Sequence, residues 1–306
     1  TTPVELHELI RTIKPKECLE LLKYDLNDLS KSKVYISLLE DIDIVDISLE
    51  YEEQLKMYNK LYSNPFRTVR LNNCRWLGLR LPSHKLAKKF NMSLINFEEY
   101  YYKVCGLNYI ELKKEYDELK NNLSNARHVY LKSPDTNFEF EKDNMEAVIL
   151  CGEKNLPDGE IYTSPIKTSP NGIIKFNTKS FKRGYNFSDI KLEFKNGEVV
   201  DFDSNNNQLL EKILNTDSGS KYIGEFAIGI NPFIDNPSGI ILYDEKIYGS
   251  IHLALGQSYN DAYNGNDSIV HWDLVKLLTP NFGYGKLYLD DKLTIDDGKI
   301  VKEKGR

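Results

Sequence analysis

The chain has 306 residues, 41% of them hydrophobic and 28% charged, which is typical of a globular protein with room for a sizeable core. Its net charge of −6 argues against nucleic acid as the main partner, because phosphate binding requires a basic face. No apolar run approaches the roughly 20 residues that span a bilayer, and the N-terminus shows no signal-peptide pattern. We therefore expect a cytoplasmic protein that binds neither nucleic acid nor membranes.

The first 120 residues alternate between helical and β-like patterns. Helices are predicted over 3–23, 51–62, 85–90, 94–105 and 109–123, and strands over 34–39, 42–47 and 76–81. No Gly-x-Gly-x-x-Gly motif follows these strands, so a dinucleotide site is not supported. Strands that alternate with helices favour a small α/β domain, which we place at residues 1–120.

From about residue 121 the pattern changes to short strands and turns. Strands are predicted over 128–131, 147–151, 173–177, 192–194, 199–202, 239–243 and 287–289, with one helix at 208–215. Asn196-Gly197 and Asp297-Gly298 have the sequence of tight hairpin turns. The predicted fold class is therefore α+β or α/β, with a small N-terminal α/β domain followed by a β-rich metal-binding domain over residues 121–306.

Four cysteines, Cys18, Cys74, Cys105 and Cys151, are scattered without a Cys-x-x-Cys pair. They are predicted to be reduced and mostly buried, and they argue against a cysteine-ligated metal site.

Residues 251–274 contain two of the five histidines, His252 and His271, together with Tyr259 and Asp273. Imidazole and carboxylate are ligands of divalent transition metals, and alternation along an extended segment puts His271 and Asp273 on one side. The alternative is that His252 is a buried histidine bonded to a backbone carbonyl and that His271 caps a turn. The grouping of these residue types favours a metal site on strands.

Two carboxylates elsewhere can complete such a site. Glu160 lies where Pro157 and Gly159 form a turn at the mouth of a strand, and Glu225 lies between small and apolar residues, where an unpaired carboxylate is costly. A solvated turn acid and a salt bridge, respectively, are the alternatives. With His252, Tyr259, His271 and Asp273 they form a ligand set too large for one tetrahedral zinc and suited to two metals.

Five motifs follow one another in a fixed order. They are Pro-x-Gly-Glu-Ile-x-Thr-x-Pro, Gly-Glu-Phe-Ala-x-Gly, Ile-His-Leu-Ala-x-Gly-x-x-Tyr, His-x-Asp and Leu-Thr-Ile-Asp-Asp-Gly-Lys-Ile-Val. Together they resemble the thermophilic metallo-aminopeptidase family, which includes aminopeptidase T, aminopeptidase S-like enzymes and leucyl aminopeptidases. The resemblance covers roughly residues 125–301, with a weaker similarity around residues 76–102.

The resemblance implies a metallo-aminopeptidase with two divalent ions per subunit, Zn, Co or Mn. It implies homodimers that remove N-terminal residues from short peptides with a free N-terminus. The region before residue 120 is shorter than the family's usual N-terminal domain. The implied metal ligands are Glu160, Glu225, His252, Tyr259, His271 and Asp273, with Glu225 as the bridging carboxylate.

Two metals would share a hydroxide and polarise the scissile carbonyl, so Glu160, Glu225 and Tyr259 are the candidate catalytic residues. Tyr259 has two interpretations, as a phenolate ligand or as a hydrogen-bond donor to the oxyanion. The general base stays unassigned among Glu160, Glu225 and the non-ligating acids Asp244, Glu245 and Asp267. Two other functions stay open: a non-catalytic metal- or peptide-binding homologue, and another metal-dependent amidohydrolase.

Overall fold

The structure, a computed structural model, describes residues 3–39, 51–182 and 184–302. Two compact units are present, the first drawn from the segments Thr1–Tyr101, Gly152–Leu156 and Arg183–Tyr185, and the second from Tyr102–Cys151, Pro157–Lys182 and Asn186–Arg306. The boundary between domains at residue 120 stays a prediction. None of the described helices combines the length and the apolar character needed to cross a membrane.

The described helices are α1 Pro3–Thr12, α2 Pro15–Leu29, α3 Glu52–Tyr58, α4 Asn64–Asn73, α5 His84–Lys89, α6 Leu94–Cys105, α7 Tyr109–Glu115, α8 Asp117–Asn125, α9 Asn207–Leu214 and α10 Ile241–Asp244. A π-helical turn, Asn59–Ser63, joins α3 to α4, and 3₁₀ turns occur at Asn260–Ala262 and Pro280–Phe282.

The described strands are β1 Val34–Leu39, β2 Arg75–Arg80, β3 His128–Ser133, β4 Thr136–Glu141, β5 Val148–Leu150, β6 Asn155–Leu156, β7 Glu160–Thr163, β8 Asn171–Lys175, β9 Ser180–Lys182, β10 Tyr185–Phe187, β11 Lys191–Lys195, β12 Glu198–Asp203, β13 Ile223–Gly229, β14 Ile251–Gly256, β15 His271–Lys276, β16 Lys286–Leu289, β17 Lys292–Asp296 and β18 Lys299–Ile300.

The first unit is built on a parallel sheet in the order β1-β2-β6, as the alternating pattern predicts. The helical pattern predicted over residues 3–23 forms two helices. The second, α2, has Pro15 in its first turn, and the Glu17 carboxylate accepts a hydrogen bond from the Lys14 backbone N–H at 2.7 Å. The strand predicted over 42–47 lies outside the described residues.

The described part of the second unit contains two large sheets. One has eight strands in the order β12-β11-β8-β4-β3-β16-β17-β18, and the other has five antiparallel strands in the order β15-β14-β13-β7-β5. Phe140 of β4 and Phe226 of β13 meet in a T-shaped contact with ring centroids 5.1 Å apart, so apolar side chains of the two sheets pack together. The prediction that strands predominate in this part of the chain is confirmed.

Most element predictions in this unit are confirmed within a few residues, and both hairpin turns are confirmed. Asn196 and Gly197 have φ of 52° and 84°, and Asp297 and Gly298 have 49° and 79°, the left-handed values that such two-residue turns require. All four cysteines carry free thiols; three of them are buried, and Cys105 is partly buried.

The strand predicted over residues 239–243 is wrong, because this segment forms the short helix α10 instead. The Asp244 carboxylate accepts hydrogen bonds from the backbone N–H groups of Ser238 and Gly239 and from the Ser238 hydroxyl. Gly239 has φ of 76°, which turns the chain into the helix. Local capping therefore overrides the apolar run Ile240-Ile241-Leu242.

Candidate metal centre

One face of the five-stranded sheet carries the predicted site. In the register, Gly229 pairs with Glu160, Ala227 with His252, and Ala254 with both Glu225 and Asp273. Paired residues share a face, and so do residues two apart on a strand. The residues on this face are therefore Glu160 and Tyr162 of β7, Glu225 and Ala227 of β13, His252 and Ala254 of β14, and His271 and Asp273 of β15.

The two alanines on this face, Ala227 and Ala254, are fully buried. Their small side chains leave room between the long acidic and imidazole side chains on neighbouring strands. The opposite face of β13 presents Phe226 to the other sheet. Alternation on β13 thus separates the apolar core from a polar site in the same strand.

Side-chain atoms that could bind a metal form two groups, each with its candidate ligand atoms within 4.8 Å of one another. The first group is Glu160, Glu245 and His252, and the second group is Glu225, His271 and Asp273. The structure therefore brings together five of the six predicted ligands and adds Glu245, which the sequence suggested only as one of three non-ligating acids.

Glu225 and His252 connect the two groups. The His252 Nε2 lies 3.2 Å from Oε1 of Glu225 and 3.6 Å from Oε2 of Glu160. The other Glu225 oxygen, Oε2, lies 3.8 Å from His271 Nε2. One carboxylate thus faces an imidazole of each group, as a bridging ligand does.

The second group has a defined histidine orientation. His271 Nδ1 donates to the backbone carbonyl of Gln257 at 2.8 Å, and its Nε2 lies 3.3 Å from Oδ1 of Asp273. A hydrogen bond from one ring nitrogen to a carbonyl leaves the other nitrogen free to bind a metal.

Two buried carboxylate oxygens fit a cation. Oε2 of Glu160 and Oε2 of Glu225 have no hydrogen-bond partner within the described part of the chain. A buried acceptor without a partner is costly, whereas a divalent cation satisfies it. Oxygen and imidazole donors together suit Zn, Co or Mn, so the residues present fit the metals that the sequence predicted.

The pKa values in this metal-free arrangement reflect the crowding of charge. Burial raises the pKa of Glu225, and the adjacent Glu160 adds to that rise, although His252 opposes it. Burial alone would lower the pKa of His252, but Glu225 and Glu160 outweigh burial and raise it to about 9. A cation favours ionised carboxylates and neutral imidazoles, so it would reverse both directions.

Lys246 was missed by the sequence analysis. It is fully buried, and its Nζ lies 2.6 Å from Oε1 of Glu160, 3.0 Å from Oε1 of Glu245 and 3.5 Å from Oδ1 of Asp158. Burial opposes its charge, but these three carboxylates raise its pKa well above the usual value. A lysine next to an acid in sequence is common on surfaces, so no local signal marked this one.

Tyr259 lies at the rim of the site and is 45% exposed. Its ring centroid is 4.9 Å from that of His271 and 5.6 Å from that of Tyr162. The exposed area belongs to the residue as a whole, whereas the phenol group is buried, and this burial and the carboxylates of Glu225 and Asp273 raise the pKa of the phenol well above the usual value.

The other suggested acids have different positions. Asp244 caps the turn before α10, and Asp267 accepts a hydrogen bond from the Tyr263 hydroxyl at 2.9 Å. Of the three acids suggested as non-ligating bases, Glu245 is the one that the ligand groups include.

Comparisons with known proteins also indicate a metal-binding protein. The family model described as "Thermophilic metalloprotease (M29)" matches residues 10–279. The chain is 34% identical over 141 residues to Aminopeptidase 2 of Geobacillus stearothermophilus, covering 40% of this chain and 33% of that protein. It is 32% identical over 128 residues to Aminopeptidase AmpS of Bacillus subtilis, covering 40% and 30%. These matched segments span about a third of the relatives' length.

Solved structures show the same fold at low identity. Wild-type AmpT from Thermus thermophilus superimposes with a TM-score of 0.78 and 15% identity, covering 98% of this chain and 85% of that one. The 2,5-dihydroxypyridine dioxygenase from Pseudomonas putida superimposes with a TM-score of 0.58 and 13% identity, covering 96% and 99%. Because a dioxygenase also has this fold, the fold alone does not determine the reaction.

Proposed function

Since the chain belongs to the thermophilic metalloprotease family (M29), we propose that it is a metal-dependent aminopeptidase that removes N-terminal residues from short peptides. The observation that carries this proposal is the pair of ligand groups on one face of the five-stranded sheet. The relatives that match the chain are named aminopeptidases, although the matches cover only part of their length.

Charge balance supports two divalent ions. Five carboxylates of the site, against the ammonium groups of Lys246 and Lys182, leave a formal charge of −3 when both histidines are neutral. The carboxylates are Asp158, Glu160, Glu225, Glu245 and Asp273. Such a charge in a buried site requires compensation, and two dications supply it.

In this proposal, Glu160, Glu245 and His252 would hold one ion, His271 and Asp273 would hold the other, and Glu225 would be shared between them. When bound, two such ions supply an activated hydroxide and polarise the scissile carbonyl. The carboxylates of Glu160, Glu225 and Glu245 are the groups placed to accept a proton from the attacking water. We also propose a homodimer and a cytoplasmic location, as the family resemblance and the sequence composition imply.

Tyr259 is proposed to act on the substrate from the rim of the site. Its phenol either ligates a metal or donates a hydrogen bond to the developing oxyanion. The surrounding carboxylates favour the neutral phenol in the metal-free arrangement, whereas a bound dication would favour the phenolate, so the two roles are distinguished by experiment.

The test is release of a chromophore from leucine p-nitroanilide by EDTA-treated protein, with Zn²⁺, Co²⁺ or Mn²⁺ added back. We expect activity that returns with metal, that is absent in Glu225→Gln and His271→Ala, and that is not seen with the N-acetylated substrate. Glu193→Gln, an exposed acid on β11, is the matched control. Two bound metal equivalents without hydrolysis of any unblocked substrate would overturn the enzymatic proposal in favour of a binding role.

A further inference from the structure

We propose that Lys246 is a positioning residue, which holds the carboxylates of Glu160 and Glu245 so that their remaining oxygens face the first metal position. This inference rests on the proposed metal site. It concerns the affinity of one ion rather than the reaction itself.

The two carboxylate oxygens of Glu160 have different neighbours. Oε1 of Glu160 lies 2.6 Å from the ammonium, whereas Oε2 lies 3.6 Å from His252 Nε2 and has no hydrogen-bond partner among the described residues. An ion pair on one oxygen orients the carboxylate and leaves the other oxygen available as a ligand. Glu245 is held in the same way, with its Oε1 at 3.0 Å from the ammonium.

The backbone around Lys246 is fixed against the end of β13. The Lys246 carbonyl accepts from the Asn231 N–H at 3.1 Å, and the Lys246 N–H donates to the Tyr243 carbonyl at 3.0 Å. A Cβ on Gly229 would lie 2.1 Å from the Ile247 carbonyl oxygen, so glycine is required for this close approach. Gly229 pairs with Glu160, which places the lysine beside the carboxylate that it holds.

Two other buried lysines show what a purely structural lysine does here. The ammonium of Lys142 donates to the backbone carbonyls of Ser124, Asp143 and Met145, and that of Lys276 donates to the Lys175 carbonyl. Lys246 instead directs its ammonium to three carboxylates, two of which belong to a metal-ligating group. This difference in partners separates a site residue from a packing residue.

The test is calorimetric titration of metal-free protein with Zn²⁺ in the wild type and in Lys246→Met. We expect the variant to bind one equivalent with unchanged affinity and the other about 10- to 100-fold more weakly, the usual loss when a group that supports a ligand is removed. Lys142→Met is the matched control, because it removes an equally buried ammonium outside the site, and both equivalents should keep their affinity.

A double variant guards against loss of folding. Asp158→Asn with Lys246→Met leaves the local formal charge at its wild-type value, so it avoids an uncompensated buried acid. We expect the same selective weakening of one equivalent, because the contacts to Glu160 and Glu245 are still lost. Unchanged affinity for both equivalents in a folded Lys246 variant would overturn the positioning role. A wild type that binds two equivalents but hydrolyses nothing would instead overturn only the proposed activity.

Discussion

The two ligand groups of this site are held in place by different means. In the first group, the buried ammonium of Lys246 pairs with Glu160 and Glu245. In the second group, hydrogen bonds to the backbone position the ligands: His271 Nδ1 donates to the Gln257 carbonyl, and the ammonium of Lys182 donates to the carbonyl of His271. Asp217 anchors the same segment by accepting from the Ile269 N–H at 2.8 Å.

The difference has an electrostatic reason. In the first group Glu160 and His252 are buried and Glu245 is 15% exposed, and the two carboxylates lie together, so they require a compensating charge even before a metal binds. In the second group the side chain of His271 is 25% exposed and that of Asp273 16% exposed, and imidazole and carboxylate already face each other. Two adjacent carboxylates thus need an ammonium as their partner, whereas in the second group an imidazole already faces the carboxylate and hydrogen bonds to the backbone, one of them from the Lys182 ammonium, order the segment.

Removing one ligand from each group is expected to give the largest effect. Glu160→Gln and Asp273→Asn should each lower kcat/KM about 1000-fold, because several kcal/mol of metal-derived stabilisation are lost. Zinc titration should show that the two variants weaken different equivalents. Glu193→Gln should match the wild type. If both variants weakened the same equivalent, the two groups would form a single site.

Removal of the metal is expected to give the second largest effect. A ligand present at a thousand times its Kd stabilises the folded state by about 4 kcal/mol, so EDTA should lower the unfolding midpoint by roughly 10 °C. The wild-type midpoint should rise again with Zn²⁺ concentration. In Asp273→Asn the shift should be smaller, since one equivalent is already weakened. An unfolding midpoint that changes with neither EDTA nor zinc would argue against a metal-binding centre in the folded protein.

The sequence was sufficient to predict that the candidate ligands on strands share one face. Glu225, His252, His271 and Asp273 stand out because a polar residue in an apolar strand is costly without a partner, and alternation assigns them a face. It was insufficient for Lys246, whose role depends on the approach of the segment after α10 to the end of β13. Such a long-range contact leaves no periodic signal.

The same limit explains the strand that was wrongly predicted over residues 239–243. Its apolar residues suit a buried strand and a buried helical turn equally well, and the choice is made by hydrogen bonds from Ser238 and Gly239 to Asp244. The secondary structure of a short apolar segment therefore depends on the hydrogen bonds that cap it. The strands β1 and β2 were longer and more regular, and their prediction is confirmed.

Tyr259→Phe is expected to have an intermediate effect and to show whether the rim residue belongs to either group. As an oxyanion donor, its loss should lower kcat about 100-fold while both metal equivalents bind as in the wild type. The measurement pairs steady-state kinetics with zinc titration. Tyr263→Phe, which changes an exposed phenol in the same loop, is the control. Weaker binding of one equivalent would instead identify the phenol as a ligand.

Asp217→Asn should have the smallest effect and should act on the second group alone. Burial would raise the pKa of Asp217, but hydrogen bonds from the Ile269 N–H, the hydroxyls of Ser268 and Ser220, and the Gly219 N–H outweigh burial and lower it. A carboxyl whose folded pKa is depressed contributes stability that is present above its unfolded pKa and is lost as the pH falls through the folded value.

The variant should therefore be about 1 to 2 kcal/mol less stable than the wild type near pH 6, because hydrogen bonds to a charged carboxyl contribute about 1.5 to 3 kcal/mol and the exposure of Asp217 to solvent reduces that contribution. The difference should shrink once the pH falls below the ordinary aspartate pKa of about 4. Denaturant unfolding of metal-free protein at several pH values measures this difference in stability, and Glu193→Gln, which removes the same charge elsewhere, is the matched control.

The same variant tests the link between Asp217 and the second group. Because Asp217 holds the segment that leads into His271, zinc affinity should fall only for the equivalent that Asp273→Asn weakens. A uniform loss for both equivalents would mean that this loop supports the whole centre, and the contrast between a group held by ion pairs and a group held through its backbone would not stand.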